Sequence, residues 1–287
     1  MKSLISVVVT TYNREDALAA VLRSLACQGD RDFEVLVADD GSGPATASLL
    51  EQWKTRFGVP LTHVWHEHRG FRAGEIRNRA IRESHGHYLV FLDGDCLVRP
   101  EFLATHRRLA EPGRFVTGNR ALLTRALTDA VLRERLEPEH WGMADWLGQR
   151  FNGGLNRLAP LLRLPLGPLR KTRPRAWEGA RSCNLAVWRS DLDRVDGFDA
   201  SFSGWGREDS DLLVRLLHAG VRRKDGAYAT GVLHLWHAAA DRSHLADNEQ
   251  RLAHVIESRR MRADRGISTL DVGAATEPTP SIGKERA

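Results

Sequence analysis

The sequence is short of cysteine, of long apolar runs and, at one telling place, of glycine. Its three cysteines, Cys27, Cys96 and Cys183, are odd in number and match no metal-ligand spacing. That pattern excludes a disulfide framework or a zinc ribbon and points to reduced thiols packed in a cytoplasmic core. The apolar run Leu4 to Val9 is too short for a secretory signal or a spanning helix, so no membrane crossing is expected. Neither charge sign dominates: 42 Lys+Arg face 37 Asp+Glu, a net charge of +5. Such a mild excess suits an anionic partner such as a nucleotide, a phospholipid surface or nucleic acid. Because the arginines are spread along the chain, no nucleic acid is expected as partner. Thr10 to Arg14, which follow the first apolar run, contain no glycine and so no Gly-rich phosphate loop.

What is present reads as an α/β chain. With 42% hydrophobic residues in 287, the core is ample for one large domain or two small ones. Leu4 to Thr11 is β-branched and reads as a central strand. Leu18, Val21, Leu22 and Leu25 then recur at helical spacing between Glu15 and Ala26. Phe33 to Ala38 predicts a second strand, Ala45 to Phe57 a helix, and Leu61 to Trp65 a short strand. A Gly70 and Gly74 stretch leads into a helix carrying Arg72, Arg77 and Asn78, and Tyr88 to Leu92 reads as a strand buried on both faces. This alternation predicts a mostly parallel sheet flanked by helices, with ligands gathered at the carboxyl ends of the strands. Further on, Glu101 to Leu109 predicts a helix, Arg114 to Gly118 and Cys183 to Trp188 strands, and Ser190 to Val195 a short helix. Gly204-Trp205-Gly206 forms a tight loop before a helix opened by Arg207 to Ser210. Val232 to His237 predicts a last strand, Asn248 to Arg265 an Arg-rich helix, and 267–287 a disordered tail.

The chemistry concentrates at strand ends. Asp93 and Asp95, two residues apart around Gly94, are expected on one side of the strand, with Gly94 letting the backbone crowd a ligand. Carboxylates that close repel unless a cation lies between them, and hard oxygen ligands suit Mg2+ or Mn2+. Glu208, Asp209 and Asp211 crowd a helix start, more carboxylates than a cap requires. His234 and His237, three apart in an extended strand, are expected on opposite faces, so that at most one shares the site of the aspartates. Leu155 to Lys171 mixes leucines with Arg157, Arg163, Arg170 and Lys171. A membrane interface, a lid or a packed loop are all open readings of that run, whose prolines break any long helix.

Taken together, Val-Val-Val-Thr10-Thr-Tyr-Asn-Arg14, Ala-Asp39-Asp40-Gly41-Ser42, Leu-Asp93-Gly-Asp95, Gly-Phe198-Asp199 and Gly-Trp205-Gly-Arg-Glu208-Asp209 resemble a family 2 nucleotide-sugar glycosyltransferase of the GT-A fold. The last element is similar to the Gly-Trp-Gly-Gly-Glu-Asp of galactosyl- and N-acetylgalactosaminyltransferases, including bacterial chondroitin polymerase domains. Arg207 departs from that pattern, and nothing in 119–178 transfers. The resemblance covers roughly residues 3 to 250. It implies a Rossmann-like catalytic domain over 1–250, with a nucleotide-binding half (1–118), an insertion or lid (119–178) and an acceptor-binding half (179–250). A helix (251–266) and the tail follow.

By position, the resemblance implies that Thr10 and Asp40 hold a uracil, with Tyr12, Asn13, Arg14, Asp39 and Arg77 nearby. Asp93 and Gly94 would meet the rest of the donor, and Asp95 and His234 would bind Mn2+ or Mg2+. Trp205 and Glu208 would face the acceptor and Asp209 would be the catalytic base. The implied reaction is inverting, metal-dependent transfer from a UDP-sugar to a glycan or lipid-linked acceptor in cell-surface polysaccharide synthesis. The implied setting is the cytoplasm, with peripheral contact to the inner membrane face. A non-catalytic carbohydrate- or nucleotide-binding module would keep the fold but has no need of every carboxylate. A receiver domain needs about half this length. A sugar-phosphate nucleotidyltransferase would carry the Gly-rich loop missing after the first strand.

Overall fold

The computed structural model describes residues 3–270. Ile5–Thr11 (β1), Glu15–Ala26 (α1), Phe33–Asp39 (β2), Pro44–Lys54 (α2), Leu61–Trp65 (β3), Ala73–Glu83 (α3) and Tyr88–Asp93 (β4) follow the expected alternation. They are succeeded by Cys96–Leu97 (β5), Phe102–Leu109 (α4), Arg114–Thr117 (β6), Arg120–Leu122 (β7), Arg125–Arg133 (α5) and Met143–Phe151 (α6). The chain closes with Asn184–Trp188 (β8), Arg189–Val195 (α7), Glu208–His218 (α8), Arg222–Asp225 (β9), Val232–His234 (β10) and Leu245–Ser258 (α9). A seven-stranded sheet has the order β3-β2-β1-β4-β8-β6-β9, and a three-stranded sheet the order β5-β10-β7. β1 pairs in parallel with β2 and β4, whereas β8 runs antiparallel to β4 and β6.

Strand alternation sorts the core into two layers. Val7, Val9, Val35, Val37, Val90 and Leu92 face α1, α2 and α4. Val8, Leu36, Leu89 and Phe91 face α3, α7 and α8 on the other side. The parallel register sets Thr10 beside Asp93 and Thr11 beside Asp39, so three strand ends meet along one edge.

The segment 119–178, in which no rhythm is legible, builds a third core. Ala121, Leu123, Leu127, Val131, Trp146, Leu155 and Leu161 close over Ala17 and Ala20 of α1, Leu233 of β10 and Leu235 just beyond it. The cations of 155–171 turn to protein partners: Arg157 to the carbonyl of Arg120, Arg163 to Glu101, Arg170 to backbone carbonyls and Lys171 to Glu111. Leu162, Leu164 and Leu169 stay exposed. No helix among the described residues is long and apolar enough to cross a membrane.

The C-terminal expectations need correction. α9 begins at Leu245 and stops at Ser258, because Arg259 takes a left-handed φ of 54° and ends the helical path. Buried Asp199 then draws the following strap inward, accepting from Arg260 Nη2 (2.8 Å) and from the amides of Asp264 (3.0 Å) and Arg265 (3.3 Å). Ile267–Thr269, placed in a disordered tail above, is a 3₁₀ turn in which Asp196 holds both the amide and the hydroxyl of Ser268. The rest of that tail, from 271 on, lies outside the described residues.

If the third core is integral, Trp146→Ala should lower unfolding free energy by about 3–5 kcal/mol, the range for emptying a large buried site. Chemical denaturation measures this, and a loss under about 1 kcal/mol would mark 119–178 as a detachable flap.

Candidate active site

One buried cation joins the strand ends to the helix that faces them. Arg77, on α3, is 4% exposed, and its guanidinium lies 5.3 Å from the centre of the Phe198 ring. Its Nε donates to Thr10 Oγ1 at 3.0 Å, and its Nη2 reaches Asp93 Oδ1 at 3.3 Å. Its Nη1 lies 3.5 Å from Glu208 Oε1 and 3.7 Å from Asp209 Oδ1. One guanidinium therefore serves three carboxylates. Burial pushes Asp93 up to about 6, with Asp95 adding to the effect and Arg77 opposing it. Glu208 is pushed up to about 7 by burial and then by the neighbouring Asp209. Burial works against the charge on Arg77, but Asp209, Asp93 and Glu208 outweigh it and hold its pKa above the usual value.

The geometry around Asp95 departs from a simple strand. Asp93 ends β4, Gly94 turns, and Cys96 starts β5 in antiparallel register with His234 of β10. Ligand atoms of Asp93, Asp95, Cys96 and His234 lie within 4.8 Å of one another. β10 ends at His234, so the chain is free to swing His237 back toward the same carboxylate. Both imidazoles approach Asp95, His234 Nε2 to Oδ1 and His237 Nε2 to Oδ2, each at 3.6 Å. The expectation of opposite faces fails because the extended strand it assumed is only three residues long. Burial lowers the His234 pKa, which favours the neutral ring a metal requires. Two carboxylates and an imidazole, with only histidines paired to Asp95 among the described residues, fit a divalent cation such as Mn2+.

Gly94 is required by its neighbour strand. Its amide donates to the Thr10 carbonyl at 2.7 Å, and an added Cβ would sit 2.9 Å from that oxygen. That close approach is to β1.

Among the other residues assigned to the donor, several frame the loops. Asp39, fully buried, accepts from the Ser42 amide (2.8 Å) and meets His63 Nε2 (2.9 Å). Asp40 Oδ1 meets His66 Nε2 at 2.6 Å, and its Oδ2 accepts from the Arg72 amide at 2.8 Å. Asn13, at φ 45°, donates its amide to Ser42 Oγ and accepts from the Gly43 amide. Arg14 turns to Asp16. Tyr12 keeps an exposed ring, stacked on His68 with centroids 4.6 Å apart. His68, two residues before Gly70, is held there by this stacking and by its Nδ1 contact with the Asp40 carbonyl at 3.3 Å.

Opposite, Arg207 takes a left-handed φ of 74° and opens α8. Asp209 Oδ2 accepts from the Ser182 amide at 3.1 Å, while its Oδ1 is buried without a hydrogen bond. Asp211 leaves the group: it is fully buried and paired with Arg215 at 2.7 Å, a core ion pair. Trp205 lies 5.1 Å under Arg242, and Trp236, absent from the sequence-derived set, is 40% exposed beneath Arg125 at 5.0 Å.

This layout has known counterparts. The family model described as "Glycosyl transferase family 2" matches residues 6–152. The chain belongs to glycosyl transferase family 2, a family of transferase enzymes. A second model, "N-terminal domain of galactosyltransferase", matches residues 170–238, the part that carries α8 and β10. Validoxylamine A glucosyltransferase from Streptomyces hygroscopicus subsp. limoneus is 32% identical over 231 residues, covering 76% of this chain and 49% of that protein. The chain thus spans about half the length of the curated relatives it matches first. Staphylococcus aureus TarS 1–349 in complex with UDP superposes with a TM-score of 0.60 at 17% identity, over 93% of this chain and 68% of that one. The mannosyltransferase PcManGT from Pyrobaculum calidifontis, in complex with GDP-Man and Mn2+, gives 0.54 at 22% identity, over 88% and 61%. These two likenesses bear on the fold, which is GT-A.

The raised Glu208 pKa carries a linkage. A carboxyl that holds its proton longer when folded favours folding at low pH, and that stability is lost as pH rises from about 4.5 to about 7. Metal-free Glu208→Gln is expected to lose less stability than the parent between pH 5 and pH 8 in urea denaturation. Identical slopes would contradict the assignment.

Proposed function

We propose that the chain transfers a hexose or N-acetylhexosamine from a nucleoside diphosphate sugar, taken first to be UDP-linked, to a hydroxyl of a glycan or lipid-linked glycan, inverting the anomeric centre. The observation that carries this reading is the joining of two carboxylate groups by Arg77, one at the end of β4 and one at the start of α8. Asp93, Asp95 and His234 would hold a divalent cation, which when bound offsets charge on a departing diphosphate. Support for a metal and for a UDP donor comes from relatives solved with Mn2+ and with UDP.

The remaining steps belong to the chain's own groups. Tyr12 offers a ring at the mouth beside the Asp40 loop, suited to stacking on a base. Trp205, capped on one face by Arg242, stands in the loop that leads into Glu208 and Asp209, where its other face would meet a sugar. Asp209 is the base: its Oδ1 has no hydrogen bond to give up, and the Ser182 amide on Oδ2 fixes its orientation. Glu208, drawn to Arg77 and with its pKa near 7, is a competitor for that role, and its placement better suits binding an acceptor hydroxyl. Direct attack helped by one base inverts the centre, by the logic of single displacement.

A cytoplasmic setting accords with free thiols at all three cysteines. Peripheral membrane contact through 155–171 draws only on exposed Leu162, Leu164 and Leu169. A place in cell-surface polysaccharide synthesis follows from the acceptor class.

Asp209→Asn is expected to lower turnover roughly 10²–10⁴-fold with donor affinity unchanged, as read by product formation and calorimetric UDP titration. Near-normal turnover in that variant, with loss in Glu208→Gln, would move the base to Glu208. Asp95→Ala should abolish Mn2+-dependent UDP binding while the circular dichroism spectrum stays native, and unchanged affinity in Mn2+ would remove Asp95 from the metal set.

A further inference from the structure

We propose that a second concave site, built by Arg108, Arg163 and Arg170, binds a phosphate-bearing ligand. It is a cavity of about 460 Å³ whose lining also includes Glu101, Leu164 and Tyr228. Tyr228 lies upstream of β10, whose far end carries His234, and Glu101 lies downstream of β5, whose start adjoins Asp95. The cavity therefore sits at the opposite end of the small sheet from the transfer centre and shares no residue with it. Its failure would leave the transferase reading untouched.

The argument rests on uncompensated positive charge. Arg170 is 6% exposed, yet its guanidinium donates only to the carbonyls of Asp225 (3.0 Å), Ala227 (2.7 Å) and Leu164 (2.8 Å). Those oxygens engage three of its five N–H groups, and the one carboxylate that acts on its charge, Asp225, is shared with Arg223 at 3.9 Å. Arg163 places Nε and Nη2 on the same oxygen of Glu101, at 3.0 and 2.8 Å, and its Nη1 is buried with no partner. That Glu101 oxygen is also 3.8 Å from Arg99 Nε, another buried donor without a hydrogen bond. Arg108 donates to Thr105 Oγ1 at 2.8 Å and has no ion pair among the described residues. Burial holds the pKa values of Arg170 and Arg99 below the usual arginine value, the direction expected of desolvated cations short of counter-charge.

Holding buried Arg170 and half-buried Arg163 together beside exposed Arg108 is costly unless an anion completes the set. Three arginines against one glutamate leave the lining at +2, which a phosphate dianion cancels and a single carboxylate does not. Guanidinium groups arriving from α4, from the loop at Arg163 and from the 3₁₀ turn Gly167–Lys171 also suit a tetrahedral oxyanion better than a planar one. The volume exceeds a bare phosphate, and the Tyr228 and Leu164 walls give an apolar flank to whatever the phosphate is esterified to. A phosphodiester glycan, a lipid phosphate headgroup and a free phosphate share this chemistry.

The test uses the full chain in EDTA, with sodium phosphate titrated against sodium chloride of matched ionic strength. Saturable stabilisation in thermal denaturation is expected, together with NMR shifts at the Tyr228 and Ala229 amides. Arg163→Gln should weaken phosphate binding by about tenfold or more, the loss of a charge-assisted contact. Arg108→Gln, at an exposed position and safe for folding, should weaken it in the same sense. Sedimentation with phosphatidylglycerol vesicles that is lost in both variants, with none on phosphatidylcholine, identifies the source as a lipid. Phosphate binding without vesicle binding identifies a soluble phosphoester. A parent chain with no saturable response beyond chloride, or variants that bind phosphate as tightly as the parent, overturns the proposal.

Discussion

The molecule depends on the pairing of Arg77 with carboxylates from two different parts of the chain. Buried like charges repel strongly at short range, and Asp93, Glu208 and Asp209 would drive β4 and α8 apart without a cation between them. Arg77 suits the place because its planar fork can reach Thr10, Asp93 and the α8 carboxylates at once while its face lies against Phe198. The two halves, matched by two separate family models, are thereby held in one electrostatic unit. Burial within that unit raises the pKa values of Asp93 and Glu208, and the neighbouring carboxylates add to the effect. Carboxyls held near neutrality in their titration are the kind a binding or proton-transfer site employs.

Much of this was legible because the parallel strands are apolar and the first helices are amphipathic. β1, β2 and β4 carry alternating Val, Leu and Phe that feed two layers, and such runs declare themselves in one dimension. The small sheet was not legible, since strands of two or three residues such as β5 and β10 display no period. β9, written Arg-Arg-Lys-Asp, looks like solvated surface and turns out to be an edge strand, where charge discourages further pairing.

The site was partly legible for the same reason. Asp93, Asp95 and Glu208 announced themselves by clustering at element ends. Partners brought in by topology did not: His63 and His66 take up carboxylate oxygens of buried Asp39 and Asp40, and His237 returns to Asp95 only because β10 ends early. Asp211 belongs to the core because Arg215 one helical turn later claims it. Sequence proximity to Asp209 carried no information about that choice. Trp236 and its Arg125 cover come from segments more than a hundred residues apart, joined where the Trp236 amide meets Thr128 of α5.

The contact between Gly94 and β1 has a consequence for how such chains diverge. A search pattern of the form Asp-any-Asp treats its middle position as free, but here a side chain would bring its Cβ to 2.9 Å from the Thr10 carbonyl oxygen, so the adjoining strand has to give way. Drift at this position would have to be accompanied by movement of Thr10 and Thr11, the residues in register with Asp93 and Asp39. The spacing of the two acids is thus inherited from the sheet.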